Sequence, residues 1–297
     1  AVGMGALQQF VGDGSTSNQT TYNTGIGYNA GKQLTTGVEN TIVGGLAGDA
    51  LTTGQRNTAL GTYALSSEDT GSRSVAIGWY SLLMQNYDGI AYNTAVGYNS
   101  GGSITTGSGH TIVGALAGDA LTTSTVNTIV GYTAGTNLET GSENVIIGSA
   151  AMNSADGSES RNVAIGTNAL ASMDSDTNNY NVAIGFEAGN DVTTGTENTL
   201  MGSLAGDALT TGNRNVAIGY DALGAEVRGD RNVAVGFDAL GDQSNAGHVD
   251  VYNTAVGYEA GKAVTTGVQN TIIGGLAGLS LTTGSFNQAI GYNALAS

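Results

Sequence analysis

The sequence has no cysteine, no proline and few basic residues, with 8 Lys+Arg against 24 Asp+Glu in 297 residues. Without cysteine, a disulfide framework and a thiolate metal site are both excluded. A formal net charge of −16 opposes binding to nucleic acid or to an anionic membrane through a basic surface. Apolar runs all fall short of the ~18 residues that a membrane span needs, so we expect no membrane insertion in this segment.

Glycine is abundant, with 49 residues, and this abundance has three common explanations. Collagen is excluded because it requires a three-residue glycine period together with proline. Disorder is disfavoured because 40% of the residues are apolar. The remaining explanation is a fold of short strands joined by repeated tight turns.

An internal repeat of about 17 residues runs through the chain. Its signature is the five-residue unit Asn23-Thr24-Gly25-Ile26-Gly27, which recurs in 16 copies, most of them 17 residues apart. We number each copy from this first residue. Position 1 is Asn in 14 copies, with Ser74 and His110 as the exceptions, position 4 is aliphatic or Met, and position 5 is always Gly. Copies begin at residues 23, 40, 57, 74, 93, 110, 127, 144, 162, 181, 198, 215, 232, 253, 270 and 287.

This spacing predicts an all-β parallel β-solenoid, or β-roll, of about 16–17 coils, because 17 residues make one circuit of a thin coil. We expect one solenoid segment over 1–297, with a partial coil over 1–22 and repeats over 23–297, as part of a longer fibre. Asn side chains stacked at position 1 would hydrogen bond along the solenoid, and Gly at position 5 would occupy a corner closed to a Cβ. The predicted structural ladder comprises Asn23, Asn40, Asn57, Asn93, Asn127 and Asn144 with Gly27, Gly44, Gly61 and Gly97.

Positions 3 and 4 lie on opposite faces of the predicted strand, and both are apolar or small. We expect position 4 to fill the inside of the coil. Because a strand with one solvated face should alternate apolar and polar residues, position 3 should then be buried against an identical chain in a parallel oligomer, which we expect to be a homotrimer. The predicted oligomer interface comprises Ala59, Ala76, Ala95, Ile112, Ile129, Ala164 and Ala183.

The units Ser74-Val75-Ala76-Ile77-Gly78 and Asn-Val-Ala-Ile-Gly, which begins at 162, 181 and 215, resemble the head repeat of trimeric autotransporter adhesins. Similar units occur in the shafts of bacteriophage tail fibres, which the segment 253–261 followed by Thr-Thr-Gly at 265–267 resembles more closely. The resemblance implies a trimeric, left-handed roll in a surface fibre that contacts cells or matrix. The 17-residue step departs from the slightly shorter adhesin repeat.

We therefore expect the structural shaft or body of a cell-attachment fibre of the phage tail-fibre type, at the virion surface or otherwise extracellular. Its expected partners are identical chains and a glycan or protein receptor on a cell surface. A bacterial trimeric adhesin is the first alternative, and an ice-binding or self-assembling matrix filament is the second.

The sequence gives little support for an enzyme or for a cofactor. His110 and His248 are predicted to lie seven coils apart, too far for a shared triad or metal site. The same objection applies to calcium at Asp49, Asp119 and Asp207, which recur in a Gly-Asp-Ala-Leu-Thr-Thr context. Thr-Thr-Gly elements such as 35–37 and 105–107 suggest an ice-binding array, but the pairs are missing from several copies and favour tight turns.

Three coils exceed the 17-residue step by two or more residues, through segments 85–92, 173–180 and 243–252, and each of these segments ends in Tyr. Insertions in solenoids map to loops on one side, which is often the binding side. Two interpretations stay open: a carbohydrate or other surface contact, and loops that are merely tolerated. The candidate contact residues are Trp79, Tyr80, Tyr87, Asp88, Asp174, Tyr180, His248 and Asp250.

Overall fold

The structure is a computed structural model that describes residues 1–11, 21–245 and 247–296. These residues form an all-β parallel β-solenoid of about 16 turns, as the repeat predicts. Residues 12–20 of the expected partial coil, Ala246 of the third longer coil and Ser297 lie outside the described residues. None of the described residues belongs to a helix long and apolar enough to cross a membrane.

Two compact units make up the chain, Ala1–Asn144 and Val145–Ser297. In the first unit, each three-residue strand pairs in parallel with the strand of the next coil, and positions 2 to 4 lie directly over positions 2 to 4, as in the pairs Thr24–Thr41 and Ile26–Val43. The strands of this unit are β1 (Thr24–Ile26), β2 (Thr41–Val43), β3 (Thr58–Leu60), β4 (Val75–Ile77), β5 (Thr94–Val96), β6 (Thr111–Val113) and β7 (Thr128–Val130).

The second unit repeats this arrangement with the same register, as in the pairs Val182–Thr199 and Ile184–Met201. Pairing again runs in the order of the sequence from one coil to the next. The strands of this unit are β8 (Val145–Ile147), β9 (Val163–Ile165), β10 (Val182–Ile184), β11 (Thr199–Met201), β12 (Val216–Ile218), β13 (Val233–Val235), β14 (Thr254–Val256), β15 (Thr271–Ile273) and β16 (Gln288–Ile290).

Each strand ends at the position-5 glycine, which the backbone and the packing both require. Gly44 has φ = +138°, a conformation that L side chains rarely adopt. A Cβ built on Gly44 would also collide with the carbonyl oxygen of Gly61 in the next coil. The same collision recurs at most copies, so this glycine column lets successive coils stack at strand spacing.

The structure reverses the expected directions of positions 3 and 4. Position 3 points into the coil, where it packs with the Ala or Ser of position 8 and the mostly aliphatic residues of position 12. The seven residues assigned to an oligomer interface therefore lie in the core of their own chain, and that assignment is wrong in its choice of face. Fully buried are Ala59, Ala76, Ala95, Ile112, Ile129, Ala164 and Ala183.

Position 4 instead lies on the outside of the strand together with position 2, and we call this surface the outer face. Leu60 in the first unit is 43% exposed and Ile273 in the second is 40% exposed. The reversal has a simple cause, since a coil this thin has room inside for Ala at most copies of position 3 but not for a branched side chain at all of them. Alternation alone does not tell which of two apolar faces is the inner one.

Candidate functional site

The position-1 asparagines form a hydrogen-bonded ladder, which in the second unit passes through every copy from Asn162 to Asn287. The Oδ1 atom of Asn23 accepts from the backbone N–H of Asn40 at 2.9 Å, and Asn40 in turn accepts from Asn57 at 2.9 Å. The side-chain amide of Asn40 also donates to the carbonyl of Gly54 at 2.9 Å. Asn40 and Asn57 are almost entirely buried, so each one satisfies backbone groups that would otherwise lack partners.

His110 occupies the same place and makes the same contacts with a different side chain. Its Nδ1 accepts from the backbone N–H of Asn127 at 3.2 Å, where Asn would offer Oδ1. Its Nε2 lies 2.9 Å from the carbonyl of Ser124, where Asn would donate Nδ2–H. These partners select the neutral tautomer with the proton on Nε2. Burial lowers the pKa of His110 to about 4.

The three longer coils close in the same way, although their lengths and sequences differ. In each, a backbone N–H near the end of the long segment donates to a carbonyl of the preceding coil: Ala91 to Ser72, Asn179 to Ser160, and Val251 to Asp230. Isolated parallel bridges mark the same three places. We refer to these segments, 85–92, 173–180 and 243–252, as the long loops.

A buried glutamate of the preceding coil holds the start of each long loop. Glu68 accepts from the backbone N–H of Tyr87 at 3.2 Å and from the side-chain amide of Gln85 at 2.9 Å. Burial raises the pKa of Glu68, and the hydrogen bond from Gln85 opposes that shift. Gln85 continues the network by accepting from the amide of Asn93 at 2.8 Å, which links the loop to the ladder.

Glu226 holds the third long loop with a denser set of donors. Its Oε1 accepts from the backbone N–H groups of Val227, Arg228, Gly229 and Asn245. Its Oε2 accepts from the side-chain amides of Gln243 at 2.8 Å and Asn245 at 2.9 Å. Six N–H groups thus converge on one fully buried carboxylate.

Glu159 holds the second long loop, accepting from the backbone N–H groups of Ser175 and Asp176 at 2.9 Å each. Carboxylate oxygens of Asp156, Glu159 and Asp176 lie within 4.8 Å of one another. Among the described residues, these three carboxylates have a spacing that could suit a metal ion. Three oxygens are fewer than the six to eight that Ca²⁺ takes. The nearby charge of Asp156 raises the pKa of Asp174, one of the candidate contact residues.

An arginine stacks on the tyrosine that ends each long loop. The guanidinium carbon lies 5.6 Å from the ring centroid for Arg73 over Tyr92, 5.6 Å for Arg161 over Tyr180, and 5.5 Å for Arg231 over Tyr252. All six residues occupy the position immediately before position 1, which we call position 0. Five of the six arginines of the chain lie at position 0. The longer coils are therefore three copies of one arrangement rather than three unrelated insertions.

The remaining candidate contact residues fall into separate groups. Trp79, half exposed, contacts Tyr80 at 4.7 Å and Tyr98 at 5.4 Å between ring centroids. Tyr87 and Asp88 belong to the first long loop, where Asp88 accepts from the hydroxyl of Thr70 at 2.7 Å.

His248 and Asp250 belong to the third long loop. The Nε2 of His248 lies 3.0 Å from the hydroxyl of Thr211, and Asp250 forms an ion pair with Arg231. The structure thus supports the grouping by loop.

The threonine pairs serve the turns that the sequence favours for them. In each of several coils the first Thr hydroxyl donates to a carbonyl of the next coil, as from Thr35 to Thr52 at 3.2 Å and from Thr210 to Val227 at 3.0 Å. Asp49 and Asp207 follow Gly in the equivalent turns. Burial raises the pKa of Asp49, and burial together with the charge of Asp221 raises the pKa of Asp207 to about 6.

Sequence reasoning missed the buried glutamates, although a signal for two of them was present. Position 12 is aliphatic in most copies, as at Leu51 and Leu121, and buried there. Glu68 and Glu226 break that pattern, and each is followed 17 residues later by Gln at the same position. A charge in an otherwise apolar column predicts a buried network with a specific partner. Glu159 lies outside this register and gave no such signal.

Comparisons with known proteins identify no relative of this chain. No protein-family model matches it, and searches of the curated proteins and of the solved structures give no significant match.

Proposed function

We propose that this chain is the structural shaft or body of a trimeric cell-attachment fibre of the phage tail-fibre type. The observation that carries the proposal is the outer face, a strip of exposed and half-buried side chains in each unit, nearly all of them Thr, Val, Ile, Leu or Met. A monomeric soluble protein rarely leaves so regular an apolar strip in water. An identical chain in parallel orientation covers it best, because only a partner with the same ~4.8 Å repeat matches it coil by coil.

Three chains, a left-handed coil and a surface location come from the resemblance to fibre and adhesin repeats. The solenoid itself suits a shaft, since each coil contacts mainly its neighbours and length can grow by adding copies. Long loops on a rigid scaffold suit contact with a glycan or protein receptor. A bacterial trimeric adhesin has the same architecture and differs in what flanks this segment.

Ice binding has less support than the fibre, because the first hydroxyls of the threonine pairs are engaged in hydrogen bonds to the next coil. Thermal hysteresis measures this alternative directly. We expect none for the intact chain.

Sedimentation tests the proposed assembly. Ile218 is 37% exposed on the outer face, and Ile218→Glu places a charge in the proposed contact while leaving the core intact. We expect the wild-type chain to sediment as a trimer and this variant as a monomer with an unchanged circular dichroism spectrum. Ala225→Glu, at an exposed turn away from the strands, is the matched control and should sediment as the wild type does. A monomeric wild-type chain would contradict the proposed assembly.

A further inference from the structure

Position 0 forms a column of exposed side chains along one edge of the outer face, and in the first unit two pairs of neighbours in it are in contact. Every residue of this column has a positive φ, so side chains of successive coils project from the same corner. Arg56 donates to Glu39 at 2.6 Å one coil away, and Arg73 contacts Tyr92 in the same way, donating to its hydroxyl at 2.7 Å. In chain order the column reads Tyr22, Glu39, Arg56, Arg73, Tyr92, Gly109, Val126 and Glu143.

Gly109 leaves one place in this column without a side chain. The backbone keeps its register there: the N–H of Gly109 donates to the carbonyl of Ala91, and that of Val126 donates to the carbonyl of Ser108. Arg73 precedes Tyr92 in the column and donates to its hydroxyl at 2.7 Å, and the empty place follows Tyr92 on the other side. Tyr92 is 57% exposed and Val126 is 61% exposed.

Neither conformation nor crowding requires glycine at this place. Gly109 has φ = +76°, and the fifteen other residues of position 0 reach φ between +46° and +64° with full side chains, including the β-branched Val126 at +56°. A Cβ on Gly109 would meet Val126 Cγ2 at 3.4 Å, an ordinary van der Waals distance. The position-5 glycines differ, since a Cβ there collides with backbone. Glycine at 109 therefore keeps the place open without being needed for the fold.

The distance between the side chains on either side of Gly109 suits one inserted six-membered ring. Coils stack at ~4.8 Å, so Tyr92 and Val126 are about 9.6 Å apart along the column. A ring inserted midway would lie at about the spacing of the stacked rings Tyr220 and Phe237 on successive coils, whose centroids are 5.3 Å apart. Tyr92 borders the gap on one side and Val126 on the other, and the hydroxyl-bearing residues Ser108 and Thr111 lie close to Gly109 in the sequence.

We propose that this gap, the Gly109 slot, binds one neutral hexopyranose ring of a cell-surface glycan. Aromatic and aliphatic walls suit the C–H faces of such a ring, and the hydroxyl-bearing neighbours suit its rim. The net charge of −16 disfavours sialylated or sulfated sugars. The inference rests on the proposed attachment function and names its ligand class.

The other two loop-ending tyrosines lack such a slot. Tyr180 is followed in the column by Glu197, and Tyr252 is followed by Gln269. They carry the same stacked arginine as Tyr92 and so provide an internal comparison.

Binding to immobilised neutral oligosaccharides of glucose, galactose and mannose tests the Gly109 slot with the full chain. Gly109→Tyr fills the gap with a side chain that the same corner already holds at Tyr22, Tyr92, Tyr180 and Tyr252, so folding should be retained. We expect the wild-type chain to bind at least one of these sugars, and Gly109→Tyr and Tyr92→Ala each to weaken that binding by about tenfold or more. Gln269→Tyr is the matched control and should bind as the wild type does.

Absence of binding to any neutral hexopyranose, binding only to anionic glycans or to aromatic peptides, or unchanged binding by Gly109→Tyr would overturn the proposal. If the circular dichroism spectrum shows that Gly109→Tyr does not fold, Gly109→Glu serves instead. It places in the gap the residue that the column already has at Glu39 and Glu143. Sedimentation of the same samples distinguishes failure of sugar binding from failure of the proposed trimer, because a chain that does not trimerise can still bind sugar through the Gly109 slot.

Discussion

The two units share one backbone design but differ in how strictly their side chains follow it. The second unit has Asn at position 1 in each of its eight copies from 162 to 287, and its rings Tyr220, Phe237 and Tyr258 stack within 14° of parallel. The first unit contains both exceptions in the ladder, Ser74 and His110, and the open place at Gly109. Where a repeat is regular, its residues build the solenoid. Departures that the backbone does not require are where function should be sought.

The largest difference we expect between the units lies in their buried glutamates. Glu226 in the second unit receives six N–H donors, whereas Glu68 in the first receives three, from Gly71, Gln85 and Tyr87. Glu226→Gln replaces an acceptor oxygen by a donor among these groups and should lower the free energy of unfolding by about 3 kcal/mol. Glu68→Gln should cost about 1 kcal/mol, because only half as many N–H groups depend on its carboxylate.

Urea unfolding of both variants measures these losses, and amide exchange should show faster opening of the loops at 243–252 and 85–92. Equal losses in the two units would show that the number of donors does not set the stability of a long loop.

His110 should make the first unit sensitive to acid in a way that the regular ladder is not. Its folded pKa of about 4 lies below the ordinary value of 6.5, so the unfolded chain takes up the proton first. The stability that neutral His110 contributes is complete above pH 6.5 and is lost as pH falls toward 4. The loss approaches about 3 kcal/mol, since one pKa unit is worth about 1.4 kcal/mol.

His110→Asn is the matched control, because it keeps both hydrogen bonds without a titrating group. The difference in unfolding free energy between the wild type and this variant should grow as pH falls from 7 to 4. A constant difference over that range would show that the pKa of His110 is the same in the folded and the unfolded chain.

The repeat predicted the fold because its regular positions are fixed by local geometry. The glycine of position 5 and the asparagine of position 1 each have one structural solution, and both are visible in a single copy such as 40–44. Which apolar position points inward was not predictable from alternation, since it depends on the width of the coil interior. The partners of Glu159 were equally hidden, because they come from a coil of different length.

The smallest expected effect contrasts two aspartates in equal contexts, Asp49 in the first unit and Asp207 in the second, each within Gly-Asp-Ala-Leu-Thr-Thr-Gly. Burial raises both pKa values, but Lys32 opposes the shift at Asp49, whereas Asp221 and Asp191 add to it at Asp207, whose pKa rises to about 6. A raised folded pKa means that the folded state holds the proton more tightly. Stability from Asp207 is therefore complete below pH 3.8 and is lost as pH rises through 6.

Asp207→Asn should accordingly unfold at a higher temperature than the wild type at pH 8 and at the same temperature below pH 4. Asp49→Asn should show the same sign with a smaller shift, because Lys32 already compensates the charge. Both shifts should be smaller than that of His110, since Asp207 is partly exposed and water screens its charge. A larger shift for Asp49→Asn would mean that Lys32 does not reach the carboxylate in solution, and thermal unfolding of Lys32→Ala, which should then match the wild type, would check this directly.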